Sequence, residues 1–420
     1  HFPFELKKDQ LEAVESWLQN SCRGSVIFST GTGKTEIAFE CARRAAENRR
    51  GPFNILFLVP RIVLINQNIR RLLNYGIEPG SVGAYFGERK EVKEITISTY
   101  QSAINNFDLV RNADMVILDE IHLASESAVE YDRIFDVIVE DHKKAILGLT
   151  ATINEKDPRY RTILVVVPPV KRYMIKDAVT DGRLAKPVII EEKVSFNLQE
   201  QKIYDESTAS IKEISRKLQA YDPQKMTRIL MHGGSRGSMA KTWFAMVRKR
   251  KEVLSSSQQK LVRAVELVKK HPKERIMIFS ETIDSILQLH DMLENAGIPA
   301  RTIHNGIKRN EREEILQSWG KDYFPLLSVH TLEIGYDVPQ VGIAIIIAST
   351  SNMNQVAQRI GRVVRKAEGK EHALVYVVYV SDTKDDRVIK TIKAAIEKQG
   401  DEIPKTRSKR PMSGQRTLNT

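Results

Sequence analysis

At 420 residues the chain is too long for one compact core and points to two or three domains. Its 65 Lys and Arg against 53 Asp and Glu give a formal charge of +12, which favours a polyanionic partner, while two cysteines exclude a disulfide framework and lack metal-ligand spacing. The longest apolar runs, VGIAIIIA (341–348) and ILVVVPPV (163–170), are too short to cross a bilayer, and the opening HFPFELKKDQ lacks a signal peptide's apolar core. An intracellular, reducing compartment is expected (cytoplasmic, or nuclear in a eukaryote), with no membrane role and no structural metal.

Short apolar runs alternate with helical patterns, the sign of parallel sheets covered by helices. The first series reads GSVIFS, NILFLVP, VGAYFG, EITIST, MVILDE and AILGLT, with TEIAFECARRAAENRR as a helix closed by Gly51-Pro52. A second series reads RIMIFS, ARTIH, FPLLSV, VGIAIIIAS and HALVYVVYV. Two α/β domains in tandem follow, over residues 1–165 and 271–395. Residues 166–270 break the rhythm and read as a connector with a helical insertion at about 200–255. The tail 396–420, rich in Ser, Pro, Lys and Arg, reads as disordered.

FSTGTGKTEIA follows the first strand and opens the first helix, where a phosphate-binding loop belongs. Thr30, Gly31, Thr32 and Gly33 form the loop, and the two glycines let backbone amides face phosphate oxygens. Lys34 is placed to reach the β and γ phosphates of ATP and Thr35 to hold Mg²⁺. The strict pattern has glycine at position 28, where this chain has Phe28.

MVILDEIH is an apolar strand ending in two acids. Asp119 suits a water-mediated Mg²⁺ contact, and Glu120 could orient or deprotonate an attacking water. In the second half, QVAQRIGRVVRK (355–366) reads as a helix with Gln358, Arg359, Arg362 and Arg365, the last two on one face. Guanidinium groups aimed at a γ phosphate act only when two domains close. Gly361 inside that helix costs stability, which a close backbone approach would justify.

Taken together, FSTGTGKT, DEIH, GLTAT (148–152), TLEIGYDVP (331–339) and QRIGRVVR resemble the superfamily two helicases over about residues 4–380. The resemblance implies two tandem RecA-like parallel-sheet domains with a mainly helical thumb-like insertion. It implies that Gln10 reads adenine, and that Gly335 and Asp337 meet phosphate and ribose. Thr150 and Thr152 would couple hydrolysis to domain movement, and His122 would bridge the acid pair to the second domain. Arg362 and Arg365 would be arginine fingers, and Pro60, Arg61, Thr99 and Ser280 would touch the nucleic-acid backbone.

Within that superfamily, DGRLAKP, the insertion and GRVVRKAEGKEHALVY resemble the XPB-type helicases, above all the archaeal ones. That group carries an Arg-Glu-Asp triplet after LTAT. Here the matching residues are Glu155, Lys156 and Asp157, so only the aspartate survives and the triplet's strand-opening role is weakened. Ile334 replaces a glutamate common before the motif-five glycine. The group's N-terminal damage-recognition domain has no counterpart, which implies a shortened chain or a partner that supplies it.

Residues 224–251 hold eight Lys and Arg and no acid. Lys241, Arg248, Lys249, Arg250 and Lys251 read as a salt-sensitive grip on phosphates, and Trp243 as packing rather than a stacking platform. HGGSRGS (232–238) reads as a flexible loop. The expected activity is ATP-dependent translocation on single-stranded or forked DNA. The resemblance adds 3′ to 5′ travel, a role in nucleotide excision repair or transcription, an archaeal nuclease partner and a monomeric motor or heterodimer. Rival readings are a DExH-type RNA helicase, an ATP-switched DNA-binding scaffold without strand separation and, last, a restriction-type translocase.

Overall fold

The computed structural model describes residues 2–47, 49, 51–126, 129–153, 155, 157–319, 324–329, 341–348, 356, 360–361, 363–365 and 372–397. Two sheets organise it. The first contains β1 (Arg23–Phe28), β2 (Ile55–Val59), β3 (Val82–Phe86), β4 (Arg89–Lys90), β5 (Ile95–Thr99), β6 (Met115–Asp119), β7 (Ala145–Thr150) and β8 (Pro169–Tyr173), in the order β4-β3-β5-β2-β6-β7-β1-β8. The second contains β9 (Lys186–Val194), β10 (Ile276–Ser280), β11 (Arg301–Ile303), β12 (Leu326–Val329), β13 (Ile343–Ile346) and β14 (His372–Val380), in the order β11-β12-β10-β13-β14-β9. Pairing is parallel throughout except for the short β3–β4 ladder.

The apolar runs become strands because helices cover both faces, so the central strands have no side facing water. Residues 24–28 of β1 and all of β7 are buried. Apolar side chains of the two halves join one continuous core through Tyr173, Ile175, Ala178 and Leu184 of the connecting segment and Val363 and Val364 of the second half.

The connector expected over 166–270 differs from the structure at both ends. β8 is the edge strand of the first sheet beside β1, and β9 is the edge strand of the second, paired with β14 from Lys186↔His372 to Val194↔Val380. Both carry proline near their start, Pro169 and Pro187, which is tolerated at an edge where one ladder is missing. The Gln258–Lys270 helix packs Leu261, Ala264 and Val268 into the second sheet's core rather than into the insertion.

Three helices make the insertion: Leu198–Leu218, Pro223–His232 and Gly234–Ser255. Asn197 caps the first in a capping box with Glu200, and Gln219 ends it at φ 52°. Their own small core holds Ile211, Leu218, Met226, Ala240 and Trp243. Trp243 is 5% exposed, donates its indole N–H to Ser215 Oγ at 2.9 Å and meets Phe244 edge-on, so it is packing. The loop expected at HGGSRGS is instead one break: the second helix ends at His232, Gly233 turns at φ 68° and the next helix starts at Gly234.

Buried ionic groups fix the second domain. Lys260 is fully buried, with Nζ 2.6 Å from Asp385 Oδ2 and donating to the Ile347 carbonyl at 2.9 Å. Asp385 also accepts from the Val380 amide at 3.0 Å. Among the described residues no helix is long and apolar enough to cross a membrane. Lys260→Met leaves Asp385 buried without its cation, and urea unfolding of the second domain should show a loss of about 3–5 kcal/mol.

Candidate ATP site at the domain junction

The phosphate loop sits where the sequence pattern places it, between β1 and the Lys34–Glu47 helix. Gly31 and Gly33 turn at φ 85° and 87°, conformations in which a side chain would be strained. Phe28 does not disturb the loop. It is the last residue of β1, fully buried, with its ring 5.2 Å from that of Tyr173. Thr32 is buried and its hydroxyl donates to the Ser29 carbonyl at 2.7 Å, while Lys34 Nζ donates to the Phe28 carbonyl at 3.1 Å. Thr35 follows at the helix start, partly exposed.

Gln10 departs from the expected adenine contact. It is 5% exposed, its amide nitrogen donates to the Thr32 carbonyl at 3.0 Å, and its oxygen accepts from the Lys7 amide at 2.8 Å. A Cβ on Gly33 would stand 2.1 Å from that amide nitrogen. In this arrangement Gln10 is a strut under the loop.

The acid pair lies two strands away, at the end of β6. Burial pushes the Asp119 carboxyl up to about 7; the neighbouring Glu120 adds to the rise and Lys34 opposes it. Glu120 adopts φ 49°, a strained backbone for a glutamate at a strand end. Its Oε2 is buried and, among the described residues, accepts no hydrogen bond. Tyr100, itself buried, donates its hydroxyl to the Asp119 carbonyl at 2.8 Å and steadies the strand end. Two desolvated carboxylates facing a lysine, with one oxygen unsatisfied, form a donor set that fits a hard divalent cation.

Thr150 and Thr152 lie at the end of β7, between the acid strand and the loop strand. His122 Nδ1 is 2.9 Å from Thr150 Oγ1 and 3.4 Å from Glu120 Oε2, and Thr150 Oγ1 donates to the Thr152 carbonyl at 2.9 Å. Among the described residues these His122 contacts lie within the first domain, tying the acid pair to the end of β7.

Among the described residues, Gly361 and Arg365 of the second half reach the loop. A Cβ on Gly361 would fall 2.8 Å from Thr30 Cβ, so the close approach that this glycine implied is made against the phosphate loop. Thr30 Oγ1 is buried there without a partner among the described residues. A Cβ on Gly31 would lie 3.5 Å from Arg365 Cγ and 3.6 Å from its Nε, which puts that arginine over the loop. Gln358, Arg362, Gly335 and Asp337 lie outside the described residues, as do Arg359, Ile334, Lys156 and the tail from 398 onward.

One residue at this junction carried no expected role. Arg183, in the DGRLAKP segment, is ion-paired with Asp9, donates to the Thr32 carbonyl at 2.8 Å and lies over the Tyr173 ring at 5.3 Å. Two residues on, the Ala185 amide donates to the Val364 carbonyl at 2.7 Å, and Leu184 bridges Arg365. One short segment thus holds both the phosphate loop and the arginine above it.

The expected nucleic-acid contacts divide. Pro60 is partly exposed and Arg61 exposed at the end of β2. Thr99 is 8% exposed and caps the Tyr100–Ile104 helix, and Ser280 is fully buried with its hydroxyl 2.5 Å from Ser285 Oγ. Those two are corrected from surface contacts to interior positions, Thr99 as a helix cap and Ser280 as the buried end of β10. In the insertion, Lys241 and Lys249 are exposed, while Arg248 pairs with Glu252 at 2.8 Å and Lys251 with Glu281 at 3.2 Å. Arg250 is 7% exposed and turns inward, so the five cations do not form one face.

Residues 3–155 match the family described as type III restriction enzyme, res subunit, and residues 259–367 the helicase conserved C-terminal domain. The chain is 28% identical to the DNA 3'-5' translocase XPB2 of Sulfurisphaera tokodaii over 383 residues, covering 89% of this chain and 81% of that one. It is 26% identical to the DNA 3'-5' helicase XPB of Mycobacterium tuberculosis, covering 91% of this chain but only 62% of that protein's length. In fold it resembles the DNA-bound type ISP restriction-modification enzyme LlaBIII, with a TM-score of 0.64 at 17% identity, over 94% of this chain and 30% of that one. With both helicase halves matched in order and the second half reaching the phosphate loop, the chain is a superfamily two helicase, similar to proteins named XPB.

Proposed function

We propose that the protein hydrolyses ATP at the junction of its two sheets and uses the cycle to move along DNA, in the 3′ to 5′ sense for which its relatives are named. The observation that carries this reading is the contact of Gly361 and Arg365 with Thr30 and Gly31. A nucleotide loop reached by the second domain can convert phosphate chemistry into relative domain motion.

Lys34 neutralises the β and γ phosphates, and Thr35 with Asp119 would hold the magnesium ion, which supplies further charge neutralisation when bound. Glu120, held away from Asp119 by its strained backbone, orients the attacking water and takes its proton. Arg365, with Arg362, stabilises the charge spreading over the γ phosphate. The His122–Thr150–Thr152 chain ties Glu120 to the end of β7, so a change at the acid moves that strand end. An intracellular site and a role in excision repair or transcription accompany this reading.

A second reading, translocation without strand separation, rests on the weakened triplet. Glu155 is ion-paired with Arg172, and Asp157 caps the next turn while pairing with Arg159 at 2.6 Å. Both acids are occupied by their own domain.

Comparing ATP turnover with single-stranded, duplex and forked DNA and with RNA tests the substrate. DNA should stimulate it severalfold, and stimulation by RNA alone overturns the proposal. Lys34→Ala should lower turnover about a hundredfold or more, read by phosphate release. In Gly361→Ala the helix itself gains, because alanine favours helix by about 1 kcal/mol over glycine. Its new methyl meets Thr30, however, and should cut kcat about tenfold; unchanged kcat would show that the contact is not required for turnover.

A further inference from the structure

Between the insertion and the second domain lies a cavity of about 870 Å³ that none of the motor motifs uses. Arg250 lines it from the Gly234–Ser255 helix, and Lys212 and Arg216 from the Leu198–Leu218 helix, one turn apart. Lys384 and Arg387 line it from the second domain, at the start of the Asp385–Glu397 helix. Tyr221, 74% exposed, stands at its rim.

The charges there are unbalanced. Arg250 is 7% exposed and shares the cavity wall with Lys384 and Arg387. Burial lowers the pKa of Arg250, with Tyr204 opposing and Arg387 adding to the fall; that of Lys384 is lowered by partial desolvation, with Arg250 and Arg387 adding to the effect. The acids at hand are engaged elsewhere. Glu213, on the cavity wall, pairs with Lys217 at 2.6 Å, and Asp385 is held by Lys260. Cations gathered on one cavity wall, with the neighbouring carboxylates engaged elsewhere, repel one another unless an anion shares the site.

We infer that this cavity is a phosphate-binding pocket for the backbone of an unpaired nucleic-acid strand, with Arg250, Lys384 and Arg387 as its cationic wall. The guanidinium forks match phosphate oxygens in geometry, and the exposed Tyr221 ring offers a face on which an adjacent base can stack. The pocket rests on the proposed DNA substrate and moves the grip from the outer face of the insertion to its root. Lys384 is joined to the insertion there, its amide donating to Tyr204 Oη at 3.0 Å. A strand held in this pocket contacts the insertion and the second motor domain together.

The test uses the full chain and a fluorescent single-stranded oligonucleotide, with affinity followed against salt concentration. Lys384→Ala/Arg387→Ala removes two exposed cations outside the ATP site, so basal ATP turnover should not change. The slope of log affinity against log salt should shrink by about 1.4, from two phosphate contacts at about 0.7 each. Arg250→Met keeps the buried volume and should shrink it by about 0.7. If the wild type binds with a measurable slope and the double variant keeps that slope, the pocket is overturned while the DNA reading stands. Should the wild type bind no strand, both fall. A thermal shift with inorganic phosphate at matched ionic strength, lost in the double variant while strand binding is unchanged, makes the site a free-anion pocket and overturns the strand assignment.

Discussion

The Thr32 carbonyl is the point on which the rest of the molecule converges. It accepts from Gln10 of the first helix and from Arg183 of the connecting segment, so one backbone oxygen receives two side chains from distant parts of the chain. Few loops can hold a tight anion-binding turn without support, because each inward-facing amide leaves its carbonyl to be satisfied elsewhere. Here that need recruits the connector. Because the connector then bridges Arg365, the geometry of the phosphate loop and the position of an arginine in the other domain become one problem.

Charge placement separates what is structural from what is poised. Lys260 and Asp385 are buried together and saturated by the Ile347 carbonyl and the Val380 amide, a closed set with no valence left for a ligand. Lys144 is also 2% exposed and saturated, donating to the Arg111 and Ala113 carbonyls. Glu120 is also buried, and its Oε2 is left without a hydrogen-bond partner among the described residues. Evolution can afford such a group where a partner arrives during function, and it sits at the proposed water-activating position.

Much of the fold was legible because central strands in covered parallel sheets are apolar without interruption. β8 and β9 escaped notice for the converse reason: as edges, they tolerate Pro169 and Pro187 and alternate with charge, so they read as linker. The phosphate loop and acid pair were legible because their chemistry fixes residue type at fixed spacing. What motifs could not give was direction. Thr99 faces inward as a cap, Ser280 is buried at the end of β10, and Arg250 turns away from neighbours that face water. Arg183 lay in a segment noted only for its resemblance, since a lone arginine carries no spacing signal. Gly361 is the exception, because a glycine within a helix is itself a statement about space.

The insertion's attachment constrains how any stroke is transmitted. Glu200 accepts from the Gln258 amide at 2.8 Å, Lys251 pairs with Glu281 beside β10, and Tyr204 receives the Lys384 amide. These anchors all run to the second domain and leave the insertion's own core of Trp243, Met226 and Ile211 undisturbed. An insertion tied at three points to one domain travels with that domain when the junction opens or closes. Closure at the phosphate loop, where Gly361 meets Thr30, would therefore displace the cationic cavity relative to the first domain. A strand held between insertion and second domain would be drawn past Pro60 and Arg61 at the end of β2. On the proposed function, the displacement would be generated at the ATP site and delivered at the insertion's root, with the second sheet as the rigid body between them.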